Sequence, residues 1–199
     1  LYDDFAKKLL HQEKAYLKEG AVHLKMPKKK MVVKDQIHGE MVFDFTREAQ
    51  FETLVITKSD GSPTYNFACV VDDALMKITH VIRGDDHITN TPKQLAVYEA
   101  LGFEVPQFAH IPLILGEDRS RLSKRTGATS IGEFRELGYL PEAVVNYLCL
   151  LGWSPKGNRE KVPLQEVIDL FDLAQILRHN ARFDLGNMVQ AVWSTADGR

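Results

Sequence analysis

Between Thr79 and Leu115 the chain reads as strand, helix, strand, an order that constrains its fold more than any other stretch. Thr79-His80-Val81-Ile82 predicts a buried strand. Asn90-Thr91-Pro92 predicts a helix start, because proline fits the first helical turn, where its missing N–H would be unbonded anyway; Gly102 predicts the end. Phe108 to Leu115 predicts the next strand. At this spacing the three form a βαβ unit, implying a parallel sheet with a right-handed crossover. Such sheets bind ligands beyond the carboxyl ends of their strands. Arg83, which follows Ile82, and the polar loop after Leu115 both fall at such ends.

That loop carries Arg121-Leu122-Ser123-Lys124-Arg125 after the turn-like Gly116-Glu117-Asp118. Cations on a loop at a strand exit suit a polyphosphate, since negative charge must be met where it develops and then released. An isolated basic pentamer is more often a solvated turn. The rest of the chain decides between the two.

Residues Leu1 to Lys18 place apolar side chains at Leu1, Phe5, Leu9 and Tyr16, a pattern that predicts an amphipathic helix stopped by Gly20. Ala21–Met26, Met31–Val33, Met41–Phe45 and Leu54–Thr57 are short β-branched or alternating runs, read as one small antiparallel sheet. Asp60-Gly61-Ser62-Pro63 predicts a turn, and Tyr65 to Met76 a helix. Beyond the basic loop, helices are expected over Glu142–Leu151 (opened by Pro141), Pro163–Phe171 and Ala181–Trp193.

Apolar residues make up 44% of the 199, enough for a core, and 26% are charged, which argues against disorder. The net charge of −2 gives no overall nucleic-acid footprint, so any RNA contact needs a local basic face. Lys25, Lys28, Lys29, Lys30 and Lys34 form the one dense basic cluster, equally readable as a solvated turn. Cys69 and Cys149 are far apart in apolar settings, indicating neither a disulfide scaffold nor a zinc motif. No long apolar span or signal-peptide pattern occurs, so no membrane role is expected and the cytoplasm is the expected compartment.

Several linked motifs now carry a family resemblance. They are Asp60-Gly61-Ser62-Pro63-Thr64-Tyr65-Asn66-Phe67-Ala68, Thr79 through His87 with Arg83-Gly84-Asp85-Asp86-His87, the Arg121–Arg125 loop, Gly138-Tyr139-Leu140-Pro141-Glu142-Ala143, and Leu150-Leu151-Gly152-Trp153-Ser154-Pro155. In this order they resemble the second half of the catalytic region of bacterial glutamyl-tRNA synthetases, of class I; the loop resembles the second class signature, KMSKS. The first signature, HIGH, is absent from the sequence. The resemblance therefore implies an internal piece of a longer enzyme, inactive alone. The implied fold is α/β: the second half of a Rossmann-like class I catalytic domain with a small antiparallel insertion and a following helical stem-contact region. The implied division is 1–57 as the insertion on the acceptor-stem side, 58–116 as the second half of the nucleotide-binding fold, and 117–199 as signature loop and stem-contact helices.

The implied activity is ATP-dependent activation of glutamate to glutamyl-adenylate and its transfer to the 3′ end of tRNA(Glu). The partners are then L-glutamate, ATP with Mg2+, and tRNA(Glu), in a monomeric parent enzyme. Some relatives hold zinc in the insertion, but its ligands have no counterpart here, so no metal site is expected. By resemblance Lys124, with Arg121 and Ser123, meets the ATP phosphates. Arg121 stands where lysine is commoner, and Thr126 where histidine is frequent. Asp86 aligns near the ATP ribose, and Leu113 and Ile114 with backbone positions that read adenine. Lys58, Tyr65, Arg83 and His87 align with the glutamate pocket, Arg83 gripping the side-chain carboxylate; a salt bridge to Asp85 or Asp86 is the plainer use for it. Lys25, Lys28, Lys29 and Lys30 would meet tRNA phosphates. The alternative is a catalytically incomplete fragment serving only as an RNA-binding or scaffold module.

Overall fold

The computed structural model describes residues 1–46, 52–116, 118–120, 130–155, 157 and 159–184. They fall into two compact units, Leu1–His110 and Ile111–Arg199.

In the first unit, helix α1 (Tyr2–His11) buries Ala6 and Leu9. It ends well short of Lys18, contrary to the single helix expected there: Glu13 turns left-handed (φ 56°), and Ala15–Lys18 becomes strand β1. β1 pairs antiparallel with β2 (Ala21–Lys25), Lys18 opposite Ala21. The two residues between them, Glu19 and Gly20, both have positive φ (52° and 78°), as the tight hairpin turn requires. Gly20 is thus a hairpin corner rather than a helix stop.

The expected single antiparallel sheet is divided between two sheets. β2 pairs antiparallel with β5 (Thr53–Thr57), giving the order β1-β2-β5. β3 (Lys30–Asp35) and β4 (Gly39–Asp44) form a hairpin that joins the βαβ unit, in the order β4-β3-β7-β6. Here β3 lies parallel to β7 (Gln107–Ile111), with Asp35 opposite Phe108. Alternation along the strands on either side of Pro27 names their buried faces and not their neighbours, which is why the expectation of one sheet fails.

The βαβ unit comprises β6 (His80–Gly84), α3 (Thr91–Leu101) and β7. Pro92 opens α3 and Gly102 closes it in the left-handed conformation (φ 73°). β6 lies at the sheet edge among the described residues, so it is not the buried strand expected: Val81 is half-buried and Ile82 is 54% exposed. The Asp60–Pro63 turn forms as read, with Asp60 Oδ1 accepting from the Ser62 amide and hydroxyl. It leads into α2 (Tyr65–Leu75). One core unites the unit, with Leu24 and Ile56 of the small sheet packed among Phe67, Val70 and Val71 of α2 and Val97 of α3.

In the second unit the apolar run breaks at Pro112, which lacks an N–H for a ladder. β8 (Ile114–Leu115) then pairs parallel with β9 (Ala181–Arg182). Ala181 therefore enters a strand where a helix was expected; residues 185–199 lie outside those described. α4 (Ile131–Glu136) starts in a reciprocal cap, Ser130 Oγ accepting from the Glu133 amide while Glu133 accepts from the Ser130 amide. α5 (Pro141–Gly152) and α6 (Leu164–Leu170) follow. The Tyr147 hydroxyl ties α5 to Asp184, donating to its carbonyl and accepting from its amide.

Candidate functional site

Strict alternation along β3 turns Met31, Val33 and Asp35 inward and Lys30, Val32 and Lys34 outward. Asp35 therefore sits as a carboxylate in an apolar layer, its side chain fully buried. Its Oδ1 accepts from the amides of Ile37 (2.9 Å) and His38 (2.8 Å), and its Oδ2 from the amide of His110 (3.0 Å). Burial pushes against ionisation, but the His38 and Ile37 amides and the His110 ring outweigh it and hold the carboxyl below its ordinary range. His110 on β7, also fully buried, brings Nδ1 to 2.7 Å from Oδ2. Burial, opposed by Asp35, keeps its imidazole pKa below the usual value.

Arg83, at the end of β6, meets the other side of this pair. Its Nε donates to His110 Nε2 (3.2 Å), and its Nη2 donates to Thr91 Oγ1 and Gln94 Oε1 (2.8 Å each). Thr91 and Gln94 come from the first turn of α3 and are buried, and Gln94 Nε2 donates onward to Asn66 of α2 (3.1 Å). The Phe108 ring centroid lies 5.7 Å from the guanidinium carbon. None of these bonds uses Nη1. The plainer expectation for Arg83, a salt bridge to Asp85 or Asp86, thus gives way to neutral hydrogen-bond partners on α3 and β7, with the Asp73 carboxylate acting on it at longer range. Those partners leave the cation its charge for a ligand.

Beside Arg83, the Tyr65 ring packs 5.7 Å from the His87 ring. Although Tyr65 is 52% exposed, partial desolvation of its hydroxyl by neighbouring groups and the Cys69 thiol push its pKa upward, with Arg83 opposing. Burial likewise raises the Cys69 thiol, which disfavours its thiolate form. His87 Nδ1 accepts from Asn90 Nδ2 (3.1 Å), and its Nε2 lies 4.0 Å from Asp86 Oδ2. Both belong to the short 3-10 turn Asp85–Asn90 after β6. Lys58 is exposed at the Asp60 turn. The structure thus gathers Arg83, Tyr65, His87 and Asp86 around the end of β6.

In the second unit, Leu113 has both backbone groups engaged: its amide donates to Asn180 Oδ1 (3.0 Å) and its carbonyl accepts from the Ala181 amide (3.2 Å). The Phe183 amide bonds Leu115. Ladder geometry then turns the Ile114 amide and carbonyl to the side opposite β9. Of the two residues expected to read adenine through backbone, Ile114 is the one whose edge is open among the described residues. Arg121, Ser123, Lys124 and Thr126 lie outside the described residues.

All five lysines of the basic cluster are exposed, and Lys29 pairs with Glu99 at 2.7 Å. No cluster of three or more His, Cys, Asp or Glu side chains converges among the described residues, and no described helix is long and apolar enough to cross a membrane. The sequence reading missed Asp35, His110, Thr91, Gln94 and Asn66. The available signal was a lone polar residue at an inward position of an apolar strand: Asp35 after Met31 and Val33, and His110 within Phe108–Leu115.

The fold is that of a class I aminoacyl-tRNA synthetase catalytic domain. It superposes on the crystal structure of a glutamate tRNA ligase from Elizabethkingia meningosepticum in complex with its amino acid, with a TM-score of 0.80 and 35% identity, covering 100% of this chain and 42% of that one. A glutamate-tRNA synthetase structure from Elizabethkingia anophelis gives a TM-score of 0.76 at 36% identity, covering 96% and 41%. In sequence, residues 3–190 match the family described as tRNA synthetases class I (E and Q), catalytic domain, and the chain belongs to that family. Curated relatives named glutamate–tRNA ligase include that of Aquifex aeolicus, 58% identical over 164 residues (80% of this chain, 34% of the relative). That of Moorella thermoacetica is 54% identical over 153 residues (77% and 31%). The chain therefore spans about a third of these relatives' length.

Proposed function

We propose that this chain forms part of the catalytic domain of a glutamate–tRNA ligase, which activates glutamate with ATP and transfers it to the 3′ end of tRNA(Glu). The observation that carries the glutamate assignment is Arg83. It is a half-buried guanidinium at a strand end, fixed through Nε and Nη2 by neutral or hydrogen-bonding partners, with Nη1 uncommitted to them. Such a group recognises a carboxylate through a charge-assisted, directional contact. Tyr65 would add a hydroxyl, His87 would close the pocket beside it, and Lys58 would lie at its margin.

ATP would use the open backbone edge of Ile114, beside Leu113, for adenine and Asp86 for the ribose. Lys124, with Arg121 and Ser123, would neutralise charge on the phosphates as pyrophosphate leaves. Mg2+ would enter with ATP, bound mainly by its phosphates and water. Activation needs no general base, because the attacking carboxylate is already ionised. Lys25, Lys28, Lys29 and Lys30 on the 1–57 segment would contact tRNA. The segment 58–116 would carry glutamate, and 117–199 the phosphate loop and stem-contact helices. A cytoplasmic, monomeric parent fits this reading.

The test is Arg83→Leu in the full-length protein that carries this chain, followed by glutamate-dependent ATP–pyrophosphate exchange. Removing the partner of a bound carboxylate leaves that charge unpaired, so the glutamate KM should rise by roughly 30-fold or more. The ATP KM should stay within about threefold, since ATP does not touch Arg83 on this reading. An unchanged glutamate KM in the folded variant would remove Arg83 from substrate selection.

A further inference from the structure

The Asp35–His110 pair is fully buried, charged at one end, and lies behind the residue assigned to substrate recognition. Its proton positions follow from the partners. Asp35 already accepts three backbone N–H bonds, an arrangement that favours the ionised carboxylate even when buried. An ionised carboxylate only accepts, so His110 Nδ1, 2.7 Å away, must carry a proton. On the far side, Arg83 Nε stands 3.2 Å from His110 Nε2. A guanidinium always carries its protons, so Nε2 must accept. A second proton on the ring would set N–H against N–H and one cation against another. The Thr91 hydroxyl is compatible with this scheme: it accepts from Arg83 Nη2 at 2.8 Å, and its one proton is divided between the His87 carbonyl at 3.5 Å and Nε2 at 3.0 Å, where it shares the lone pair with Arg83 Nε–H.

The bonds therefore run in one direction, from Arg83 Nε–H to His110 Nε2, and from His110 Nδ1–H to Asp35 Oδ2. Gln94 pins Nη2 from the opposite side and is itself held by Asn66. The guanidinium plane is thereby fixed before any ligand arrives, and the side-chain entropy that a mobile arginine would lose on binding is already spent in folding. Other groups facing His110 are Thr91 of α3 and, at longer range, His38 after β3. Both leave the direction of the chain unchanged.

We infer that Asp35 and His110 are positioning residues for substrate selection, fixing the tautomer and angle at which Arg83 receives the substrate's side-chain carboxylate. This rests on the reading of Arg83 given above. Such buried charge is a weak source of stability compared with apolar packing. It is well suited to holding a recognition group in one orientation.

In the full-length protein, Asp35→Asn keeps a carbonyl for the Ile37 and His38 amides but turns an amide donor toward His110 Nδ1 and toward the His110 backbone amide, both of which lose their acceptor. The ring proton then moves to Nε2, against Arg83. The glutamate KM in pyrophosphate exchange should rise roughly ten- to a hundredfold, the loss of one hydrogen bond to a charged group. The kcat and the ATP KM should change by less than about threefold. His110→Phe should match it. A folded Asp35→Asn protein with normal glutamate KM, or with glutamate and ATP KM raised together, would overturn the inference. Arg83→Leu measured alongside separates the two readings: a normal glutamate KM there sinks the carboxylate assignment itself, whereas an impaired Arg83→Leu with normal Asp35→Asn sinks only the positioning chain. Neutron diffraction of the unaltered protein needs no variant to fold. Deuterium on His110 Nδ1 and none on Nε2 is expected, and deuterium on Nε2 at neutral pH would refute the chain.

Discussion

Arginine at position 83 does something lysine could not. Its Nε and Nη2 bind His110, Thr91 and Gln94 at once, which takes a planar fork rather than a point charge. Arg83→Lys should therefore behave as a loss. The ammonium retains the charge but cannot satisfy the His110 and Gln94 acceptors together, nor hold a fixed angle to a ligand. We expect the glutamate KM to rise roughly tenfold or more, for about 1.5–3 kcal/mol of charged hydrogen bonding forgone. Near-normal exchange kinetics for Arg83→Lys would mean that charge alone is recognised. The strand pattern located Arg83 at a strand end, whereas Tyr65 and His87 were linked to it only by the family resemblance of their motifs. For Asp35 the sequence offered only alternation, a polar residue in phase with Met31 and Val33; what covers it and what it bonds follow from β3 lying against β7, some 70 residues downstream.

At the scale of elements, legibility followed local signals. α3 was readable from Pro92 and Gly102, because both act through their own backbone. The β1–β2 hairpin was not, because glycine after an amphipathic run serves equally as a helix stop and as a hairpin corner. Only the pairing of Ala15 with Leu24 decides between them. The partition of strands between two sheets was equally hidden, since alternation names the buried face and not the neighbour. The two glycines offer a comparison. Alanine at Gly102 meets nothing within 4 Å and bears only the left-handed strain, so Gly102→Ala should cost about 1 kcal/mol. Alanine at Gly20 (φ 78°) bears that strain and also places its Cβ 3.3 Å from Ser59 Cβ. Gly20→Ala should destabilise more. Urea unfolding of the two variants side by side checks the order, and equal midpoints would show that Ser59 yields freely.

Over the whole molecule, charge sets two measurable responses. The first is acid sensitivity. The folded state holds His110 below its ordinary 6.5, so below about that pH the unfolded chain binds more protons and stability falls. Asp35 is held below its ordinary 3.8, so its contribution is lost as pH drops through that region and below. Urea midpoints should thus decline from about pH 6.5 downward and more steeply below about pH 4; His110→Phe should flatten the upper part. The second response concerns tRNA. With a net charge of −2, attraction for a polyanion must be local, and on the function proposed above the lysines of β2, β3 and the turn between them would be its source. They are not equivalent. Lys30 and Lys34 share the outward face of β3, whereas Lys29 is paired with Glu99. A lysine that releases a counterion on binding steepens the salt dependence by roughly 0.7–0.9 per contact in the logarithmic slope. Lys28→Gln combined with Lys30→Gln should therefore flatten the slope of tRNA binding by about 1.5. Lys29→Gln should change it less, because Glu99 already answers part of that charge. Glu99→Gln should strengthen binding by freeing Lys29 for phosphate. Filter binding across a salt series separates these outcomes, and a slope unaltered by the Lys28 and Lys30 changes would make the cluster a solvated turn.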